Sequence, residues 1–146
     1  MSVELPNAPV DEVIRRHADG LRVSADAAAE LAERIQRRGA ALATDAAERA
    51  ASDGRKTLMA SDFDAEESEL PPSETLSLPI APVDRIARLD VDERYRVGAD
   101  ARVALADRLE AYADDVAAGA VVLARHAGRR TVQAEDIETY CELQGE

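Results

Sequence analysis

The chain of 146 residues has no tryptophan, one phenylalanine, three tyrosines and a single cysteine, Cys141. One cysteine excludes an intrachain disulfide framework. With 3% aromatic residues, any core must be built from alanine, valine, leucine and isoleucine, and it will be thin. Lysine is nearly missing as well: of the 18 basic residues only Lys56 is lysine. No stretch approaches the roughly 18 to 20 apolar residues of a membrane span, so no membrane association is expected. The opening MSVELPNAPV has neither a basic region nor an apolar run, and so no readable secretory signal. These absences lead to the expectation of a soluble intracellular protein.

What is present favours helix. Alanine fills 30 of the 146 positions, and with leucine, arginine and glutamate it gives a composition that nearly excludes a mainly β protein. Thirty acidic residues against 18 basic ones leave a net charge of −12. Acidic surplus, abundant alanine and avoidance of lysine together suit a cytosol at molar salt, and the chain reads as a halophile's protein. At that ionic strength the Debye length is about 3 Å, so the net charge is screened beyond contact range.

The chain also matches itself. At an offset of 73, Leu5, Pro6, Ala8, Pro9, Val10, Asp11 and Arg15 recur as Leu78, Pro79, Ala81, Pro82, Val83, Asp84 and Arg88. One inserted residue later, at an offset of 74, Arg22-Val23 recurs as Arg96-Val97, and Gly54, Arg55, Thr57, Ala60 and Asp62 recur as Gly128, Arg129, Thr131, Ala134 and Asp136. The chain is a tandem duplication. The expected division is a first unit at 1–65, an acidic Pro-containing linker at 66–77 and a second unit at 78–146.

Each unit reads as short helix, long helix, short helix. The first helices are expected at about Pro9–His17 and Pro82–Asp90, with a proline in the first turn. Loops ending in Arg-Val follow. A long helix then starts after Ser24, a good N-cap, or after Gly98, and runs about 28 residues, or about 42 Å. Its apolar stripe is Leu31, Ile35 and Leu42 in the first unit and Leu105, Leu109 and Val116 in the second. Final short helices are expected at about Ala60–Glu67 and Ala134–Leu143. Such a long helix cannot bury its stripe inside a unit of about 70 residues. It needs a partner of the same kind, and the natural solution is for the two long helices to cross with the short helices packed over the crossing, so that the halves form one intertwined body.

Leu78-Pro-Ile-Ala-Pro-Val-Asp-Arg85, Arg96-Val97 and above all Leu123-Ala-Arg-His-Ala-Gly-Arg-Arg-Thr-Val-Gln-Ala-Glu-Asp-Ile137 resemble archaeal histones, strongly in the second unit. The first unit keeps Leu5-Pro6, Ala8-Pro9-Val10, Arg22-Val23-Ser24 and Gly54-Arg-Lys-Thr57 and drifts elsewhere. The whole chain is similar to a haloarchaeal histone doublet. The resemblance implies an all-α fold of two tandem histone folds joined as an intramolecular pseudo-dimer, with duplex DNA as partner, and a cytoplasmic, chromosome-associated location. It places DNA contacts at three points. At one end Arg22 joins Arg130 and Thr131; at the other Arg96 joins Lys56 and Thr57; at the middle lie Arg85, Arg15 and Arg88, where the first unit offers Glu12 in the place of Arg85. It also implies that two doublets associate through the second unit, at Leu123, His126 and Asp136. The first unit has Arg49 and Ser52 in the equivalent places and is not expected to extend the assembly.

Other readings of these residues are blander. Arg22 and Arg96 could instead sit in local salt bridges. Arg55 with Asp62, and Arg129 with Asp136, read as structural ion pairs tying the last loop to the last helix. Gly54-Arg-Lys-Thr57 lacks the upstream glycine and spacing of a phosphate-binding loop. His17 and His126 lack the companions of a metal site, and Cys141 reads as a small apolar residue, so neither metal nor cofactor is expected. No catalytic constellation is present, and an enzyme is not expected. The expected function is sequence-tolerant binding of duplex DNA in chromatin organisation or transcriptional regulation. The alternative is a histone-fold protein-protein interaction module with weak DNA binding, which the acidic balance and Glu12 favour.

Overall fold

The computed structural model describes residues 2–146. Twelve-residue α1 (Asn7–Ala18) leads through β1 (Arg22–Val23) into α2 (Ala25–Ser52) and then β2 (Thr57–Leu58). After short 3-10 turns at Ala60–Phe63, Glu67–Glu69 and Ser73–Thr75, the pattern repeats as α3 (Ile80–Arg88), β3 (Arg96–Val97), α4 (Ala99–His126), β4 (Thr131–Val132) and α5 (Ala134–Leu143). Both long helices have 28 residues. Ser24 starts α2 by accepting a hydrogen bond from the Ala27 amide at 3.2 Å. Gly98 holds that place for α4, where Asp100 takes over the polar role: its carboxylate accepts from the Ala101 amide at 2.9 Å and from Ala60 across the halves at 3.0 Å. Left-handed Gly54 and Gly128, at φ +71° and +73°, turn the chain out of each long helix.

The first helices start two residues earlier than their prolines suggest, because Pro6 and Pro79 lie just outside and Pro9 and Pro82 sit inside the first turn. The larger difference is the expected helix at Ala60–Glu67, which is a single 3-10 turn ending at Phe63. Phe63 fills the core position that Ile137 fills in α5. Beyond it the first unit offers Glu66 and Glu67 where the second has Tyr140 and Cys141, so a further helical turn would have only the small Ala65 to bury. Left-handed Asp64 closes the turn, and Arg49 and Arg108 donate to the carbonyls of Asp62 and Phe63 at 2.8 and 3.0 Å.

Leu31, Ile35, Leu105, Leu109 and Val116 are buried as the stripe requires, whereas Leu42 is half-buried and Ala43 takes the core position beside it. Alanine and glycine let the long helices approach closely. At Gly39 an added Cβ would stand 2.7 Å from Ile86 Cγ2 and 2.9 Å from Leu109 Cδ1. One polar pair at the repeat offset of 74 anchors the segments that precede the first helices. Gln36 accepts from the Glu4 amide at 2.7 Å and donates to the Ser2 carbonyl at 3.1 Å. Its counterpart Glu110, 8% exposed, accepts from the amides of Ser77 and Leu78 at 2.6 and 3.0 Å. Leu70 and Leu76 also pack on the core, so the acidic connector is held down at several points.

Candidate nucleic-acid interface

The loops before and after the long helices come together across the two halves. β1 runs parallel to β4 with Arg22 opposite Thr131 and Val23 opposite Val132. The Arg22 amide donates to Arg130 O at 2.9 Å and the Ser24 amide to Val132 O at 3.0 Å. At the other end β2 runs parallel to β3, with Thr57 opposite Arg96 and Leu58 opposite Val97. The Arg96 amide donates to Lys56 O at 2.8 Å and the Gly98 amide to Leu58 O at 3.0 Å. Alternation along these short strands turns Leu58, Val97 and Val132 into the core and Thr57 and Arg96 away from it, and Arg22 on β1 and the loop residues Lys56 and Arg130, just ahead of β2 and β4, are exposed as well. Each end is thus a rim of two cations and a threonine from opposite halves of the chain.

Adjacent arginines shape these rims and are consumed in doing so. Arg55 meets Asp62 with two parallel hydrogen bonds of 2.8 and 3.0 Å, and Asp62 also accepts from the Met59 amide at 2.8 Å. In the second unit Arg129 bonds Asp136, whose other oxygen accepts from the Gln133 amide at 2.9 Å. Asp62 is 4% and Asp136 2% exposed. The Arg55 guanidinium, with the Met59 amide and more distant Arg49, outweighs burial and holds the Asp62 carboxyl below its ordinary pKa. A carboxyl lowered in the folded state stabilises fully above its unfolded value of about 3.9, and that contribution is lost as pH falls through the folded value. Thermal melts followed by circular dichroism should therefore show wild type losing stability on acidification below pH of about 4. Asp62→Asn should melt lower than wild type at pH of about 6, with a shallower acid decline. Equal melting temperatures at neutral pH would contradict a structural role for this pair.

The middle arginines differ from those of the rims. Arg15 pairs with Asp11 at 2.5 Å, Arg85 with Glu4 at 3.3 Å and Arg88 with Asp84 at 3.1 Å, and Glu12 stands exposed on α1. Among the described residues Arg22, Arg37, Arg38, Lys56, Arg96 and Arg130 have no carboxylate within 4.0 Å, whereas every other basic side chain has one. In a chain with 30 acidic residues this is a marked segregation. The local salt bridge that was the other role open to Arg22 and Arg96 is not made.

A profile of the family described as histone-like transcription factor (CBF/NF-Y) and archaeal histone matches residues 3–65 and again 76–139. The chain belongs to this family. An archaeal histone of Thermococcus zilligii, HAN1, is 55% identical over 60 residues, 41% of this chain and 87% of that protein. The histone of Methanopyrus kandleri superposes with a TM-score of 0.67 at 25% identity, over 92% of this chain and 91% of its own. That match takes in both histone folds at once. A protein of Thermus thermophilus, at 19% identity, shares the fold alone, with a TM-score of 0.70 over 97% of each chain.

At the far end of the second histone fold Leu123 is half-buried and His126 exposed, with Val122 and Leu143 exposed by 63% and 69%. Asp136 was expected to face a neighbouring doublet as well as Arg129. It is buried, and both its oxygens are engaged within the chain, so it has no free edge for a partner. In the first histone fold Arg49 is turned onto Asp62 O and Asp64, and Ser52 donates to Glu48 O. Arg37 and Arg38 do not stand out in the sequence, because their lack of carboxylate partners shows only in three dimensions.

Proposed function

We propose that the chain is a histone doublet of the haloarchaeal type. Residues 1–65 and 78–146 are its two histone folds, 66–77 its linker, and the folds form an intramolecular pseudo-dimer whose binding of duplex DNA is sequence-tolerant. It acts in the cytoplasm on the chromosome of a molar-salt organism, in chromatin organisation or local transcriptional regulation. The observation that carries this reading is that the cations of both rims, Arg22 with Arg130 and Arg96 with Lys56, are exposed and free of carboxylates. The narrow minor groove concentrates negative potential, and an arginine needs no base-specific partner there. Thr131 and Thr57, opposite Arg22 and Arg96, orient them, and backbone amides and helix N-termini add phosphate contacts. Arg15, Arg85 and Arg88 at the middle contribute less, since Asp11, Glu4 and Asp84 already neutralise them.

That internal neutralisation favours a second reading, a histone-fold interaction module that touches DNA weakly. Duplex binding over a series of KCl concentrations separates the two. Saturable binding that Arg22→Ala with Arg96→Ala weakens supports the histone reading, and no saturable binding at any salt that keeps the protein folded supports the module. In either case the second histone folds of two doublets are proposed to meet through Leu123 and His126, while the Arg49 end of the first does not pair.

A further inference from the structure

Arg37 and Arg38 form a third group of free cations, near the middle of α2 and away from both rims. With Arg34 they line a cleft of about 220 Å³ whose remaining wall is Glu146. Arg34 is held by Glu30 at 2.7 Å, and the Arg38 guanidinium lies 4.8 Å from the centre of the Tyr112 ring. The Glu146 carboxylate accepts from the Tyr112 hydroxyl at 2.6 Å, so an anionic group already stands at the edge of this cleft.

The repeat supplies a second cleft in the corresponding place. Arg34 corresponds to Arg108 at the offset of 74, and Arg108 lines a cleft of about 550 Å³ with Asp64, Glu66, Glu69, Leu70 and Asp107. Both clefts lie between the middle of one unit's long helix and the closing segment of the other unit. Their charges are opposite. Arg108 is committed to Phe63 O and Asp64, while among the described residues Glu66, Glu69 and Asp107 have no basic partner within 4.0 Å.

We propose that copies of this chain dock on one another by these clefts, the arginines of α2 in one copy meeting the carboxylates of the linker and α4 in the next. Because the two clefts are at different places on the molecule, the contact is head-to-tail and leaves one cleft of each kind free, so it can extend. Exposed ion pairs are individually weak, and association rests on several at once. This contact is separate from the rims and does not depend on DNA.

The test is the mass in solution, without DNA, at the lowest KCl concentration that keeps the helical signal complete. Wild type should gain mass with concentration above the 15.7 kDa chain. Arg37→Glu with Arg38→Glu makes both clefts acidic, and Glu66→Arg with Glu69→Arg makes the linker cleft basic; each variant alone should fall to a lower baseline. Any contact through Leu123 and His126 is unchanged by either reversal and sets that baseline. Mixing the two variants should raise the mass above it. A wild type whose mass never rises, variants as associated as wild type, or a mixture no heavier than its components would each overturn the proposal.

Discussion

Replacing Arg22, Arg96 and Arg130 together by alanine is expected to lower duplex affinity at least about 1,000-fold at fixed salt, since each of the three charge-assisted contacts contributes about 1.5 kcal/mol or more. The same triple variant should flatten the dependence of log K on log salt by about 2.7, close to 0.9 for each phosphate contact removed. Its thermal stability should change by no more than about 0.5 kcal/mol, because none of the three side chains has an ion pair among the described residues and the strand pairing uses only their backbones. That separation of binding from stability distinguishes residues kept for an external anion from residues that hold the fold. Arg15→Ala with Arg85→Ala and Arg88→Ala is the informative contrast. It removes cations already neutralised by Asp11, Glu4 and Asp84, so the salt slope should change by less than about one contact. If the middle triple flattens the slope more than the rim triple does, the DNA path follows α1 and α3 instead.

The largest expected loss of stability lies at Gly39. Leucine there would gain about 1 kcal/mol of helix propensity. It would also place its first side-chain carbon 2.7 Å from Ile86 and 2.9 Å from Leu109, where α2 crosses the other half. Overpacking typically costs about 1–3 kcal/mol, and more where two buried helices must separate to admit three further carbons. Gly39→Leu should therefore lower the melting temperature in molar KCl by roughly 5–12 °C. Because the crossing sets the spacing of both rims, duplex binding should weaken as well. Gly39→Ala should fall between the two, its helical gain set against a clash with movable side-chain ends. A leucine variant that melts with wild type would mean that the long helices do not meet at this residue.

How much of this is legible in the sequence follows from what a repeat can and cannot display. The offset of 73 to 74 aligns Arg22-Val23 with Arg96-Val97 and Gly54 with Gly128, and those residues do bound the long helices, because caps and left-handed turns are local chemistry. Pairing the loops of opposite halves follows from the length of the helices, whose stripe needs a partner of the same kind. The final helix expected in the first unit is absent because Ala60–Glu67 has helical propensity but, beyond Phe63, only the small Ala65 to dock it, with Glu66 and Glu67 where the second unit has Tyr140 and Cys141. Leu42 is not the core residue its spacing suggests because alanine, at Ala43, occupies the core of so close a crossing. The pairing of Arg85 with Glu4, and of Arg16 with Asp114 at 3.1 Å, joins residues far apart in the chain, so which cations stay free cannot be read before folding. Gln36 and Glu110 are legible in principle: a polar residue in the middle of each long helix, at the repeat offset, marks something buried that must be bonded.

Both rims require strands from opposite halves of a single chain to pair. With buried Cys141 replaced by alanine, cysteines at Arg22 and Thr131 should test this under mild oxidation. Neighbouring parallel strands lie about 4.8 Å apart, within the span that a disulfide bridges. Closure of a bond inside single 15.7 kDa chains should be rapid and near-complete, at a rate independent of protein concentration. Thiols that stay free, or bonds that form only between chains and faster at higher concentration, would contradict it.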